Sequence, residues 1–349
     1  MSEAISRERL HALPKAELHV HLDGSLRPET MLELADDQGV PMPVAEPDAL
    51  RDYMHVKDAT DLVGYLARFE LTLGVMQTAP ALERIAYELA EDAARENTRY
   101  IEVRYCPALN IEEGLTLEEA VEAPLEGLRR AAEDHGILSG IIVCALRSNP
   151  PSEALRLAEL AVDYRDRGVV GFDLAGAEAG FPPALHAEAF DHAAKNHLPV
   201  TIHAGEAWGP ASIDEAVFRC HARRIGHGTR LGEDRELLDF VRDFRIPLEI
   251  CPTSNVQTRA TRSMETHPIR GYYDHDCVVT VSTDNRLMSA VTLTDEYERI
   301  HRSLGFDWAE LVDIARMGFQ SAFLPYPEKL ALLARVDDEL AELNAASSS

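Results

Sequence analysis

Residues 16–25 read Ala16-Glu17-Leu18-His19-Val20-His21-Leu22-Asp23-Gly24-Ser25. The run reads as a β-strand, in which side chains alternate faces, so His19 and His21 point into one space. Two imidazoles so placed can share a single cation. Three other stretches have the same form: His203-Ala204-Gly205-Glu206, Gly226-His227-Gly228 and Ser282-Thr283-Asp284-Asn285 each close an apolar run with metal-competent side chains.

Eight candidate strands follow from such runs, at about residues 16–22, 98–105, 137–146, 169–175, 198–204, 223–228, 246–251 and 277–283. Most are continuously apolar, as expected of a parallel sheet covered on both faces. Helical patterns lie between them. Thr116 with Glu119 makes a capping box, and Ser152 is expected to cap a run whose apolar stripe stops at Gly168. Strands alternating with helices predict an α/β fold, a (β/α)₈ TIM-type barrel. Residues 24–97 exceed one crossover helix and are broken by Pro41, Pro43 and Pro47, so extra helices are expected after strand 1, as a cap over the barrel mouth. Further helical patterns at 292–304, 308–317 and 328–343 predict extra helices after strand 8. The whole of 1–349 is read as one barrel domain, with an ordered core over about 14–340 and a frayed tail at 345–349.

The 60 acidic residues outnumber 34 basic ones, and the net charge of −26 repels phosphate backbones and anionic headgroups. Neither a nucleic acid nor a membrane is expected as partner. Cys106, Cys144, Cys220, Cys251 and Cys277 are odd in number and form no C-x-x-C pair, so they read as reduced thiols. Residues 1–18 carry Glu3, Arg7, Glu8, Arg9 and Lys15 and no apolar core of a signal peptide, and no run is long enough to span a bilayer. A cytoplasmic protein is expected.

In this fold, active sites sit at the C-terminal ends of the strands. His19 and His21 close strand 1, His203 strand 5, His227 strand 6 and Asp284 strand 8. Imidazoles with one carboxylate suit Zn²⁺, or less selectively Fe²⁺, Co²⁺ or Mn²⁺, with one coordination position left for water. We assign His19, His21, His203 and Asp284 as ligands. His227 remains open as a further ligand, a base or an electrostatic partner of the bound hydroxide, and Glu206 is placed to deliver a proton. A two-metal site in such barrels usually needs a modified lysine on strand 4. Lys15, Lys57, Lys195 and Lys329 are the only lysines and none ends a strand, so one metal is expected.

With Gly171-Phe172-Asp173-Leu174-Ala175-Gly176, Arg224-Ile225-Gly226-His227-Gly228 and Glu249-Ile250-Cys251-Pro252-Thr253-Ser254-Asn255 added to the stretches above, the chain resembles the adenosine deaminase family of the amidohydrolase superfamily, in the family's order, over about residues 14–330. The resemblance implies a hydrolase of purine salvage that converts adenosine, and 2′-deoxyadenosine, to inosine-type products and ammonia, through a metal-bound hydroxide attacking purine C6. It implies one Zn²⁺ per subunit on His19, His21, His203 and Asp284. Glu206 then matches the proton donor to purine N1, His227 the residue that orients and activates the hydroxide, and Gly176 the N–H that meets N3. Asp23 matches the aspartate that holds the ribose 5′-hydroxyl, which favours a nucleoside. Tyr65, Leu66 and Phe69 resemble a hydrophobic lid. The chain departs from the family's common Asp-Asp pair at Asp284-Asn285. An amide donates to N7 without taking up a proton, so Asn285 fills that role simply.

Two other function classes compare poorly. The cytidine-type zinc deaminases need H-x-E with P-C-x-x-C, but here Cys251 precedes Pro252. A non-catalytic binding protein on the same barrel would be expected to lack a ligand. Within the enzyme class the alternative is another 6-aminopurine: adenine, N6-methyladenosine or aminodeoxyfutalosine.

Overall fold

The computed structural model describes the backbone of residues 5–56 and 62–346, and the side chains of these except 62–67 and 346. Eight strands appear in it: β1 (Lys15–His21), β2 (Thr98–Tyr105), β3 (Leu138–Leu146), β4 (Val169–Ala175), β5 (Thr201–Ala204), β6 (Arg224–His227), β7 (Leu248–Ile250) and β8 (Val279–Val281). They pair in chain order and in parallel, β1 to β4 in one sheet and β5 to β8 in another. Isolated parallel bridges hold the two seams, Phe172 with Val200 and Val20 with Asp284. At the second seam the Asp284 N–H donates to the His19 carbonyl at 2.9 Å, and the His21 N–H to the Asp284 carbonyl at 2.7 Å. The architecture is the expected TIM-type barrel.

Strands β1 to β4 lie within a residue of their expected bounds, whereas β5 to β8 are shorter than their apolar runs. The reason at β5 and β7 is proline. Pro199 and Pro247 lack the N–H a ladder needs, and each only accepts, from Phe172 N at 3.0 Å and Ile225 N at 2.9 Å. Leu198, Val200 and Ile246 still pack on the core, so hydrophobicity marks more residues than pairing does.

Between β1 and β2 come helices Pro28–Gln38, Pro47–Met54, Leu62–Gly74 and Ala79–Arg95. Pro28 and Pro47 stand at first helical positions, where a missing N–H leaves nothing unpaired. Helix Ala79–Arg95 is the crossover, packed along Leu117–His135. A Cβ at Gly127 would come within 2.1 Å of the Glu83 carbonyl oxygen, so only glycine permits this approach. The Thr116–Glu119 capping box forms as expected. Ser152 does not cap its helix: Pro150 is the N-cap and Pro151 the first residue, which pushes Ser152 inside. That helix also ends earlier than expected, at Asp163, and a 3₁₀ turn leads to Gly168 at φ +112°.

After β8 come Arg286–Ser289, Leu293–Leu304, Trp308–Ser321 and Tyr326–Ala346. Trp308–Ser321 covers β8 and β1, and Leu293–Leu304 packs against Arg7–Ala12 at the chain's start. The last helix includes Ala345 and Ala346, where fraying was expected; 347–349 lie outside the described residues. The five cysteines are free and buried. Among the described residues no helix is long and apolar enough to cross a membrane.

Helix Leu293–Leu304 is tied to the barrel by Glu296, fully buried, whose carboxylate oxygens accept from Thr253 N at 3.1 and 3.2 Å. Burial pushes this carboxyl up to about 8, with Arg299 opposing. Between the unfolded value near 4.3 and about 8 the native state holds a proton that the unfolded state has lost, so the contribution of Glu296 weakens stability as pH rises through that window. Glu296→Gln is expected to flatten this slope and to gain most against the wild type at pH 8 and above. Thermal melts across pH 5 to 9 check this, and parallel profiles for the two proteins would refute it.

Candidate metal centre and active site

His19 and His21 share the inward face of β1, and β5 brings His203 beside them. His203 Nε2 lies 3.0 Å from His19 Nε2 and 3.2 Å from His21 Nε2. Asp284 Oδ1 is 3.6 Å from His19 Nε2 and 3.4 Å from His21 Nε2. These four residues form one cluster of potential metal-ligating atoms. Glycine makes room for it, because a Cβ at Gly226 would sit 3.0 Å from His203 Cα and 3.1 Å from His19 Cε1.

The proton positions follow from carboxylates beneath the rings. His19 Nδ1 lies 2.9 Å from Glu249 Oε2, and His203 Nδ1 lies 3.0 Å from Asp173 Oδ2. A carboxylate only accepts, so each Nδ1 carries the hydrogen and each Nε2 turns a lone pair on the common point. Burial, reinforced by Arg104, holds His19 far below the usual histidine range, and burial with His203 does the same for His21. For His203 burial is outweighed by Asp173, which raises its basicity. Ser254 Oγ donates to Asp284 Oδ2 at 2.6 Å, leaving Oδ1 for the imidazoles. Three imidazole nitrogens and one carboxylate oxygen fit a divalent cation of the zinc type.

Below the imidazoles the barrel is filled by charge. Arg104 bridges Asp173 Oδ2 at 3.1 Å and Glu249 Oε2 at 2.8 Å. Arg224 Nε reaches Glu249 Oε1 at 2.6 Å and its Nη2 pairs with Glu102. Thr201 Oγ1 adds a fourth donor to Glu249 at 2.9 Å. Burial alone would push the Glu249 carboxyl up, but Arg104 and Arg224 outweigh it and hold it low.

Above the imidazoles opens a cavity of about 1200 Å³, lined from the C-terminal ends of the strands and from helix Leu62–Gly74. His21, Asp23, Gly176, His203, Glu206, His227, Asp284 and Asn285 all line it, as does Phe69. The side chains of Tyr65 and Leu66 lie outside the described residues. Glu206 Oε2 is 3.6 Å from His227 Nε2, and its Oε1 accepts from Thr258 Oγ1 at 2.9 Å. Burial pushes the Glu206 carboxyl up, favouring the protonated acid. Burial pushes His227 down to about 4, so it is neutral at pH 7. Asp23 Oδ1 is buried with no hydrogen-bond partner in the protein, which marks it as a group waiting for a ligand; the unpartnered atom of Asn285 is its amide oxygen, an acceptor lying against Gly24. Gly176 has φ +92°, a conformation suited to glycine.

The strand ends that matter are strained. His227 and Asp284 adopt φ of +63° and +64°, in the left-handed region. Each such non-glycine residue costs on the order of 1–3 kcal/mol, held by its surroundings. Sequence reading missed the residues beneath and beside the ligands. Asp173 on β4 and Glu249 on β7 were given no role by the sequence; their signal is a lone charge at an inward position of an apolar strand. Glu178 was not singled out, yet its carboxylate accepts from Gly205 N at 2.6 Å, Glu206 N at 3.0 Å, Ala207 N at 2.6 Å and Trp208 N at 2.9 Å. It holds the turn that presents Glu206.

Barrel and donor set define a metal-dependent amidohydrolase site. The sequence profile described as adenosine deaminase matches residues 14–339, and the chain belongs to the adenosine deaminase family. It is 44% identical over 351 residues to an adenosine deaminase of Mycobacterium sp. (strain JLS), covering 95% of this chain and 96% of the relative. Among solved structures it resembles an adenine deaminase from Arthrobacter aurescens, with TM-score 0.87, 28% identity and coverage of 94% of this chain and 99% of the other. An amidohydrolase from Burkholderia ambifaria with bound Zn matches with TM-score 0.86, 27% identity and coverage of 97% and 94%.

Glu249→Gln replaces an acceptor by an N–H₂ group facing buried donors. Removing one partner of such a network costs about 3–5 kcal/mol, and lost support beneath a ligand weakens metal binding about 10–100-fold. Urea unfolding and competition with a chromophoric chelator measure the two effects; wild-type values in both would remove Glu249 from the metal centre.

Proposed function

We propose that the protein is a zinc-dependent adenosine deaminase that converts adenosine and 2′-deoxyadenosine to inosine and 2′-deoxyinosine with release of ammonia. The observation that carries this reading is the convergence of His19, His21, His203 and Asp284 at the floor of a cavity whose wall holds a carboxyl favoured in its protonated form, Glu206. The curated relative's name and the zinc in the Burkholderia structure support it. One zinc ion per subunit matches four converging donors, and five free, buried cysteines suit a reducing, cytoplasmic setting.

His19, His21, His203 and Asp284 would hold a divalent cation, which would supply a nucleophile at neutral pH by lowering the pKa of water. The protein's own groups do the rest. Glu206 gives its proton to purine N1, which makes C6 electrophilic; the water oxygen bonds to C6 as its first proton recharges Glu206, and its second proton passes through Glu206 to the amino nitrogen as the C6–N bond breaks and ammonia leaves. His227 faces the attacking oxygen. The Gly176 N–H meets N3, the Asn285 amide N–H₂ meets N7, and Asp23 takes the sugar 5′-hydroxyl. Phe69, with Tyr65 and Leu66, supplies an apolar lid over the purine. The discriminating alternatives are adenine, N6-methyladenosine and aminodeoxyfutalosine, since the Arthrobacter neighbour is an adenine deaminase.

Loss of the 6-amino group shifts purine absorbance, so a substrate panel tests the reading directly. Adenosine and 2′-deoxyadenosine are expected to react fastest; inert nucleosides beside rapid turnover of another aminopurine would overturn it. Removal of metal by a chelator should abolish activity, and added Zn²⁺ should restore it. Glu206→Gln is expected to lower kcat by about 100-fold or more. In the wild type kcat/KM should fall as pH rises through the Glu206 pKa, because the ionised group has no proton to give. Asn285→Ala should lower kcat/KM for adenosine, and unchanged kinetics would remove Asn285 from N7 recognition.

A further inference from the structure

Behind His227 runs a buried hydrogen-bond chain whose direction is set at its far end. His267 Nδ1 lies 3.2 Å from the backbone nitrogen of Ile269, and His267 Nε2 lies 3.3 Å from Asn255 Oδ1. Asn255 Nδ2 in turn lies 3.0 Å from His227 Nδ1. Asn255, His267 and His227 are 0%, 3% and 1% exposed, so water does not compete for these contacts.

A backbone N–H can only donate, so His267 Nδ1 must accept. Neutral His267 then carries its proton on Nε2 and donates to Asn255, which fixes the amide with its oxygen toward His267. The amide nitrogen is left to donate to His227 Nδ1. His227 therefore keeps its own proton on Nε2, the nitrogen that faces Glu206 and the cavity. Burial pushes His267 down to about 3, which keeps its ring neutral.

We propose that Asn255 and His267 are positioning residues that lock His227 as the Nε2–H tautomer, so that it holds the attacking oxygen by donating a hydrogen bond and does not accept that oxygen's proton. The part concerning the attacking oxygen rests on the deaminase reading; the tautomer itself does not. The sequence left base and electrostatic partner open for His227, and the chain decides for the donor.

Long-range ¹H–¹⁵N correlation on the zinc-loaded protein labelled at histidine reads the tautomer, with His227 assigned by the signals lost in His227→Gln. The expected pattern is an unprotonated Nδ1 and a protonated Nε2; the reverse overturns the proposal whatever the substrate. Asn255→Asp puts an acceptor-only group on Nδ1 and drives the proton there. It is expected to lower kcat about 100-fold, with KM changed less than about threefold and metal content unchanged. His267→Leu removes the donor that orients Asn255 and should lower kcat about tenfold, whereas in His267→Gln the amide N–H₂ replaces Nε2–H and most of that loss should be recovered. A wild-type kcat in Asn255→Asp, or equal rates in the two His267 variants, overturns the proposal. If Asn255→Asp does not fold, the wild-type spectrum decides alone. A wild-type protein inert toward adenosine instead sinks the deaminase reading and leaves the spectrum to decide the tautomer.

Discussion

A carboxylate buried at the centre of a barrel must be matched on every side, and Glu249 is that carboxylate. It receives His19, Arg104, Arg224 and Thr201, and through the arginines it is joined to Asp173 and Glu102. An unmatched ion in that position would be strongly destabilising, so the inward residues of six strands are constrained together. The centre of this barrel is consequently a lattice of alternating charge.

That lattice also sets the chemistry above it. Carboxylates below the imidazoles draw the Nδ1 protons downward, which turns the Nε2 lone pairs of His19 and His203 upward. His227 stands on the same rim with the opposite polarity, because its Nδ1 faces an amide donor instead of a carboxylate. Adjacent histidines of one cavity thus present a lone pair or an N–H according to what lies behind each ring. The strained backbone of His227 and Asp284 is tolerated because strand pairing and these contacts hold both residues from several directions.

Most of this was legible in the chain wherever one residue type has one physical meaning. His-x-His on an apolar run places two rings on one face, and strand ends in an alternating α/β pattern gather at one rim. Those rules brought His19, His21, His203, Glu206, His227 and Asp284 together without coordinates. Strand lengths were less legible, since Leu198 and Ile246 are apolar for packing and not for pairing. Ser152 misled because a proline pair upstream starts its helix earlier. Glu178 was invisible for a different reason: its partners are backbone N–H groups of a distant turn, and no side-chain pattern announces them.

Asp284 holds the seam between β8 and β1 with its backbone while its side chain completes the donor set. Chains are synthesised from the N-terminus, and His19 and His21 emerge long before that aspartate. Until the last strand docks, the nascent polypeptide presents an open ring and an imidazole pair without its carboxylate. The bridge that seals this seam and the carboxylate of the candidate donor set therefore belong to one residue, so a chain lacking its last strand lacks both.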